Sequence, residues 1–85
     1  PWAVSAYPNP FSDIAYFDVS TPLAMPAQLD IFDVRGRRVR TLSSPAEAMR
    51  WDGCDQRGIP AASGVYFYRI QQGAQSAVGK LVLLQ

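Results

Sequence analysis

Eighty-five residues with eight Lys and Arg against seven Asp and Glu, a net charge of +1, lack the basic excess that draws a protein to nucleic acid. With no histidine and one cysteine, the chain also lacks the usual partner for most acid–base, nucleophile-activating and zinc chemistry, and forms no intrachain disulfide. Apolar residues make up 48%, enough for a globular core, yet no apolar run approaches the ~20 residues needed to span a bilayer.

Seven prolines and six glycines are spread along the chain. Such spacing suits many short strands and suits long helices badly. The first strand, residues 2–7, is ended by Pro8-Asn9-Pro10, where two prolines remove two backbone donors and turn the chain out of the sheet. The second, 14–19, sets Ala15, Phe17 and Val19 on one face and Tyr16 and Asp18 on the other. In the third, 27–33, Leu29 and Ile31 point inward and Asp30 toward water, with Phe32 on the Asp30 face. Asp33-Val34-Arg35-Gly36 then predicts a hairpin with a three-residue loop. The Asp33 side chain bonds the backbone two residues on, and Gly36 takes the left-handed conformation. Arg35, Arg37, Arg38 and Arg40 surround this turn and read as a solvated tip, with Val39 inward on the fourth strand.

Ser44-Pro45-Ala46-Glu47 has capping-box spacing, which leaves one helical turn open before the fifth strand, 48–51. There Met49 and Trp51 face inward and Arg50 outward. Residues 52–64 form a long connection dense in Gly, Asp and Pro, ordered by its own turns or else functional. The sixth strand, 65–71, carries Tyr66, Tyr68 and Ile70 on its core face and Val65, Phe67 and Arg69 on the other. The last, 77–84, turns Leu81 and Leu83 inward against Val78, Lys80, Val82 and Leu84. No internal repeat is visible. The shared interior defines an all-β, immunoglobulin/fibronectin-III-like antiparallel sandwich of about seven strands.

Asp52, Asp55 and Gly58 superficially suggest a calcium loop. Two carboxylates do not fill six to eight oxygen positions, and Asx turns ordering a loop beneath Trp51 explain them better. Tyr66 reads as a tyrosine-corner residue, its ring buried and its hydroxyl bonded to nearby backbone. Val65, Phe67, Val78, Val82 and Leu84 form an apolar stripe on the outward faces of the last two strands, a composition suited to a partner. Reversed faces, or cover by a preceding domain, are the competing explanations. The final strand also offers an edge for pairing. No residue constellation supports catalysis, a metal or a cofactor, and the chain is expected not to be an enzyme.

Tyr7-Pro8-Asn9-Pro10-Phe11 before a strand resembles the opening of the C-terminal (type A) sorting domains carried by substrates of the type IX secretion system. Ile31-Phe32-Asp33-Val34-Arg35-Gly36-Arg37, Trp51-Asp52-Gly53-Cys54-Asp55, Ser63-Gly64-Val65-Tyr66-Phe67-Tyr68-Arg69 and Lys80-Leu81-Val82-Leu83 continue the resemblance in order. The same segments are similar to the immunoglobulin-like domain of the flagellar hook-capping protein. Cys54 stands where this loop more commonly has a polar or basic residue, which leaves a reactive or crosslinking thiol open. The turn between Phe11 and Ile14 is also shorter than in many relatives.

The resemblance implies a single non-catalytic C-terminal domain, residues 1–85, of a longer secreted protein; an opening at Pro1 without Met fits a fragment of something longer. It implies partners in the outer-membrane secretion and attachment machinery and a preceding cargo domain of the same chain. It places the protein outside the cell or on its surface, reached through the periplasm of a Gram-negative-type bacterium. Lys80, Leu81, Val82, Leu83, Leu84 and Gln85 are the segment expected to be recognised. Pro8, Asn9, Pro10, Asp33, Gly36, Trp51, Asp52, Gly53, Gly64 and Tyr66 are expected to hold the frame. Two alternatives stand beside this reading. One is a structural or self-assembling module, hook-cap-like, that self-associates through the apolar stripe. The other is a carbohydrate-binding module stacking sugars on Trp2, Tyr16 and Phe32.

Overall fold

Alternating side chains fold this sequence into two antiparallel sheets that share one interior. A computed structural model describes residues 4–19, 27–44 and 49–85. The strands are β1 (Val4–Tyr7), β2 (Ala15–Val19), β3 (Ala27–Phe32), β4 (Arg38–Ser44), β5 (Met49–Trp51), β6 (Gly64–Gln72) and β7 (Gln75–Leu83). One sheet has the order β1-β2-β5 and the other β4-β3-β6-β7. β4 stays hydrogen-bonded to β3 rather than joining the three-stranded sheet, as the fourth strand of a constant-type immunoglobulin domain does. Trp2 and the candidate helical turn at 45–47 lie outside the described residues.

The inward residues meet as their alternation dictates. Ala15, Phe17, Leu29, Ile31, Met49, Trp51, Tyr66, Tyr68, Ile70, Leu81 and Leu83 are all buried, and Val39 packs half-buried against them. Ala27 joins this core on the face it shares with Leu29 and Ile31, and Phe11 joins it although no alternating run marks it. Three aromatic contacts stitch the sheets together. Phe11 lies 5.4 Å from Trp51, Trp51 meets Tyr66 edge-on at 5.3 Å, and Phe17 meets Tyr68 edge-on at 5.0 Å. Such pairs contribute roughly 0.5–1.5 kcal/mol beyond the area they bury.

Gly79 makes one of these contacts feasible. It lies opposite Tyr68 in the β6–β7 register, and a Cβ there would overlap the Tyr68 hydroxyl and ring. The tyrosine therefore lies over the bare backbone of β7.

Asp30 departs from the expectation of an outward, wetted carboxylate. It does lie on the outer face of the four-stranded sheet, yet it is 0% exposed. Its cross-strand neighbours Thr41 and Arg69, with Arg38 and Gln28, close over it. Thr41 donates its hydroxyl to Oδ1 at 2.9 Å, Gln28 and Arg69 donate to Oδ2 at 3.2 and 3.3 Å, and Arg38 lies 3.6 Å away. Burial would raise the pKa of this carboxyl, but these hydrogen bonds and the Arg38 charge outweigh it and hold it below the ordinary value. Arg69 also covers Phe32, its guanidinium 5.6 Å from the ring centre.

Candidate partner-recognition surface

Residues 80–85 are fixed by three residues from two other parts of the chain, Asn9 and Phe11 after β1 and Ser63 before β6. After β1 the backbone crosses from the three-stranded sheet to the edge of the four-stranded one. There Asn9 acts as a short strand would: its Nδ2 donates to the Lys80 carbonyl at 3.0 Å, and its Oδ1 accepts from the Val82 amide at 2.9 Å. Phe11 continues the pairing in parallel, donating to the Val82 carbonyl at 2.9 Å and accepting from the Leu84 amide at 2.8 Å. At the end of the chain, the Gln85 amide donates to the Ser63 hydroxyl at 2.9 Å. The outer edge of β7 is thus already paired at the Lys80 carbonyl and at Val82 and Leu84, and from that carbonyl onward edge pairing by an incoming strand is not available. Side chains remain on offer. Lys80 and Gln85 are exposed, Leu84 is 53% exposed, and Leu81 and Leu83 are buried in the core.

The apolar stripe divides. Phe67 and Val78 are exposed, at 43% and 75%, whereas Val65 and Val82 are half-buried and opposite each other. Phe32 lies directly across from Phe67 on β3 and extends the apolar strip across the outer face of the sheet.

Two loops of one design stand at the end of the sandwich beside the C-terminus. In Asp33-Val34-Arg35-Gly36-Arg37 the Asp33 amide donates to the Arg37 carbonyl, and the Gly36 amide donates to the Asp33 carbonyl. The amides of Arg35 and Arg37 both donate to Asp33 Oδ1, at 2.9 and 3.0 Å. Asp55-Gln56-Arg57-Gly58-Ile59 repeats each bond: Asp55 to Ile59, Gly58 to Asp55, and the Arg57 and Ile59 amides to Asp55 Oδ1 at 2.9 and 3.0 Å. Gly36 and Gly58 hold φ of 82° and 85°, a region open to glycine at little cost. The shared D-x-R-G pattern is a local repeat that a search for long-period repeats passes over.

The amides leave their mark on both carboxyls. At Asp33 partial desolvation raises the pKa, but the Arg37 and Arg35 amides and the Arg37 charge outweigh it. At Asp55 the Ile59 amide dominates, joined by the Arg57 amide, and the carboxyl is again held low. Both loops line a groove of about 680 Å³ with Ser63, Gly64 and Tyr66. The Tyr66 hydroxyl donates to the Ala62 carbonyl at 2.6 Å, the corner its position predicts.

Asp52 and Asp55 serve as Asx turns: Asp52 Oδ1 accepts from the Cys54 amide at 3.0 Å, as Asp55 does from its own loop. Arg40 reaches from β4 to Asp52 and to the carbonyls of Cys54 and Asp55, while Trp51 donates its indole N–H to the Cys54 carbonyl at 2.8 Å. Desolvation pushes the Cys54 thiol up, and the Asp52 carboxylate adds to that, so the thiol is protonated at neutral pH and a poor nucleophile. Tyr16 and Phe32 lie on different sheets; Tyr16 stacks on Tyr7 and Phe32 lies under Arg69, so they form no common sugar platform. No group of three or more potential metal ligands occurs among the described residues, and among them there is no helix long and apolar enough to cross a membrane.

Two solved structures share the fold. One is dimeric latent PorU from Porphyromonas gingivalis, with TM-score 0.76 and 22% identity over 99% of this chain. The other is PorZ, a surface component of the type-IX secretion system of the same organism, with TM-score 0.71 and 21% identity over 96%. This chain spans only 9% and 11% of their lengths. No curated protein matches it. The profile of the secretion system C-terminal sorting domain matches residues 5–84. The chain therefore belongs to the family of secretion system C-terminal sorting domains, a generally non-catalytic family found in secreted and cell-surface proteins.

Proposed function

We propose that this chain is a single, non-enzymatic C-terminal domain of a longer protein, which it directs from the periplasm through the type IX outer-membrane export machinery to the cell surface. The observation that carries the reading is the fixed presentation of residues 80–85. Asn9, Phe11 and Ser63 hold this segment on the folded surface, with the Lys80, Leu84 and Gln85 side chains turned outward. Machinery that reads it meets a shaped surface, to which the exposed parts of the stripe, Phe67 and Val78, are adjacent. Membership of the sorting family supports this reading.

Deleting residues 80–85 is expected to leave the cargo in the periplasm. The deletion also removes buried Leu81 and Leu83, so a second variant separates recognition from folding. Leu84→Glu alters an exposed side chain, is expected to leave the unfolding temperature within a few degrees, and is expected to block export. Normal surface delivery of both variants would end the proposal. A self-assembling module is the second reading, favoured by the exposure of Phe67, Val78 and Leu84. It requires oligomers in light scattering at high protein concentration, and a strict monomer removes it.

A further inference from the structure

β7 is an edge strand whose outer backbone groups alternate. Those of Val82 and Leu84, with the Lys80 carbonyl, bond Asn9 and Phe11. The same alternation turns the N–H and C=O of Ser76 and Val78, and the N–H of Lys80, away from β6. Among the described residues no backbone group pairs with them. Ser76, Val78 and Lys80 are all exposed. Native sheets protect an edge with proline, a bulge, an inward charge or a covering loop. Residues 76–80 contain no proline and no irregularity in their register with β6, and their one charge is Lys80 at the end of the stretch. The opposite edge strand differs, since the Thr41 amide of β4 is taken up by the Gln56 side chain.

Beside this open stretch lies a shallow apolar groove of about 400 Å³ between Phe32, Phe67 and Val78, with Arg69 and Lys80 at its rim. Arg69 is committed to Asp30. Lys80 enters no ion pair among the described residues. Resting on the sorting reading above, we propose that residues 76–80 are a strand-addition site for an extended peptide segment of the export machinery. The segment carries, two residues apart on one face, an apolar side chain and a carboxylate. Backbone bonds to Ser76, Val78 and Lys80 give affinity. The apolar side chain lies beside Val78 and Phe67, and the carboxylate meets the unpaired Lys80 ammonium, since residues two apart on a strand share a face. Asn9 and Phe11 already extend the sheet one step further along the same edge, and the incoming strand ends where they begin.

The test uses the full cargo protein with its own tail, in a cell with the export machinery, and reads the amount delivered to the surface. Val78→Pro removes an outward N–H and leaves the β6–β7 ladder intact, the setting in which an edge strand tolerates proline. Lys80→Glu reverses the rim charge, and Val78→Thr keeps every backbone group. Val78→Pro and Lys80→Glu are expected to lower delivery at least tenfold with unfolding temperatures within a few degrees of the parent, and Val78→Thr to deliver at least half as much. If Val78→Pro proves unfolded, Ser76→Pro takes its place with the same expected loss. Parent-level delivery by a folded proline variant or by Lys80→Glu overturns the strand-addition site while leaving the sorting function standing; failure of the parent tail itself overturns the sorting function. Should the proline variant instead abolish a concentration-dependent dimer in sedimentation and leave export unchanged, a second copy occupies the edge and the proposal is wrong.

Discussion

Replacing Gly79 with alanine adds one methyl group where the backbone of β7 passes under the Tyr68 ring of the neighbouring strand. The new Cβ overlaps the Tyr68 hydroxyl and ring carbons. The ring has little room to retreat, being 7% exposed and held edge-on against Phe17 at 5.0 Å. Overpacking of this kind costs about 1–3 kcal/mol. Alanine recovers roughly 0.5–1 kcal/mol in chain entropy and strand propensity over glycine. Because the overlap is with several atoms of a buried ring, the upper part of the overpacking cost, about 2–3 kcal/mol, applies here. The net loss is then about 1–2.5 kcal/mol, and at 4–8 °C per kcal/mol for a domain this small the Tm falls by about 4–20 °C. Urea and thermal unfolding of Gly79→Ala read the loss directly. Companion variants identify its cause. Tyr68→Phe removes the hydroxyl but leaves ring carbons in the way, so it does not rescue Gly79→Ala. Tyr68→Leu clears the space, so the double variant is less destabilised than the sum of the two single ones. A Gly79→Ala protein as stable as the parent would refute the reasoning.

Asn9→Ala removes two bonds to the β7 edge and is expected to cost about 1–3 kcal/mol; faster hydrogen exchange at the Val82 amide checks the mechanism. Tyr66→Phe loses the bond to the Ala62 carbonyl and should cost about 1 kcal/mol in urea unfolding with the fold retained. Asp30→Asn weakens the bonds that close over a buried carboxylate and should cost roughly 1–3 kcal/mol at pH 7. The pH profile follows from the carboxyls of Asp30, Asp33 and Asp55, all held below their ordinary values in the fold. A lowered folded pKa means the unfolded chain binds more protons in that window, so stability rises with pH there. The contribution is complete above the unfolded value of about 3.9 and is lost as pH falls toward the folded one. Tm measured from pH 7 down to pH 2 should drop mainly below about pH 4, and Asp30→Asn should flatten that acid limb. A Tm that rises on acidification would contradict the assignment.

Period-two patterning was enough to assign the strands and most of the core, because a polar residue in most strands, such as Asp18, Asp30, Arg50, Arg69 or Lys80, marks the outer face. The same rule put Asp30 on the correct face but not in the buried state it takes there. Alternation reports which face a side chain takes, but not whether its neighbours close over it, and here Thr41, Arg38 and Arg69 come from two other strands. Phe11 escaped notice because it follows two prolines and belongs to no alternating run; its burial depends on the chain crossing between sheets to reach Trp51. Asn9 was legible as a turn residue, but its side-chain pairing with β7, 71 and 73 residues away along the chain, is a tertiary fact. That pairing closes the C-terminal half of the β7 edge, from the Lys80 carbonyl to Leu84, and leaves the half before it open. The second Asp-centred loop was within reach of the sequence, since Asp55-Gln56-Arg57-Gly58 repeats the spacing of Asp33-Val34-Arg35-Gly36. The stretch around it reads as one long connection, which hid the unit.

The claim on which the functional account rests is that these 85 residues suffice to send a passenger out of the cell. The direct measurement fuses them to the C-terminus of a monomeric fluorescent protein bearing a periplasmic signal, in a bacterium with a working type IX system and in the same strain lacking it. The account predicts fluorescence on the surface or in the medium of the first strain and confinement to the periplasm in the second. Periplasmic retention in both strains, with the fused tail shown to be folded, would contradict it.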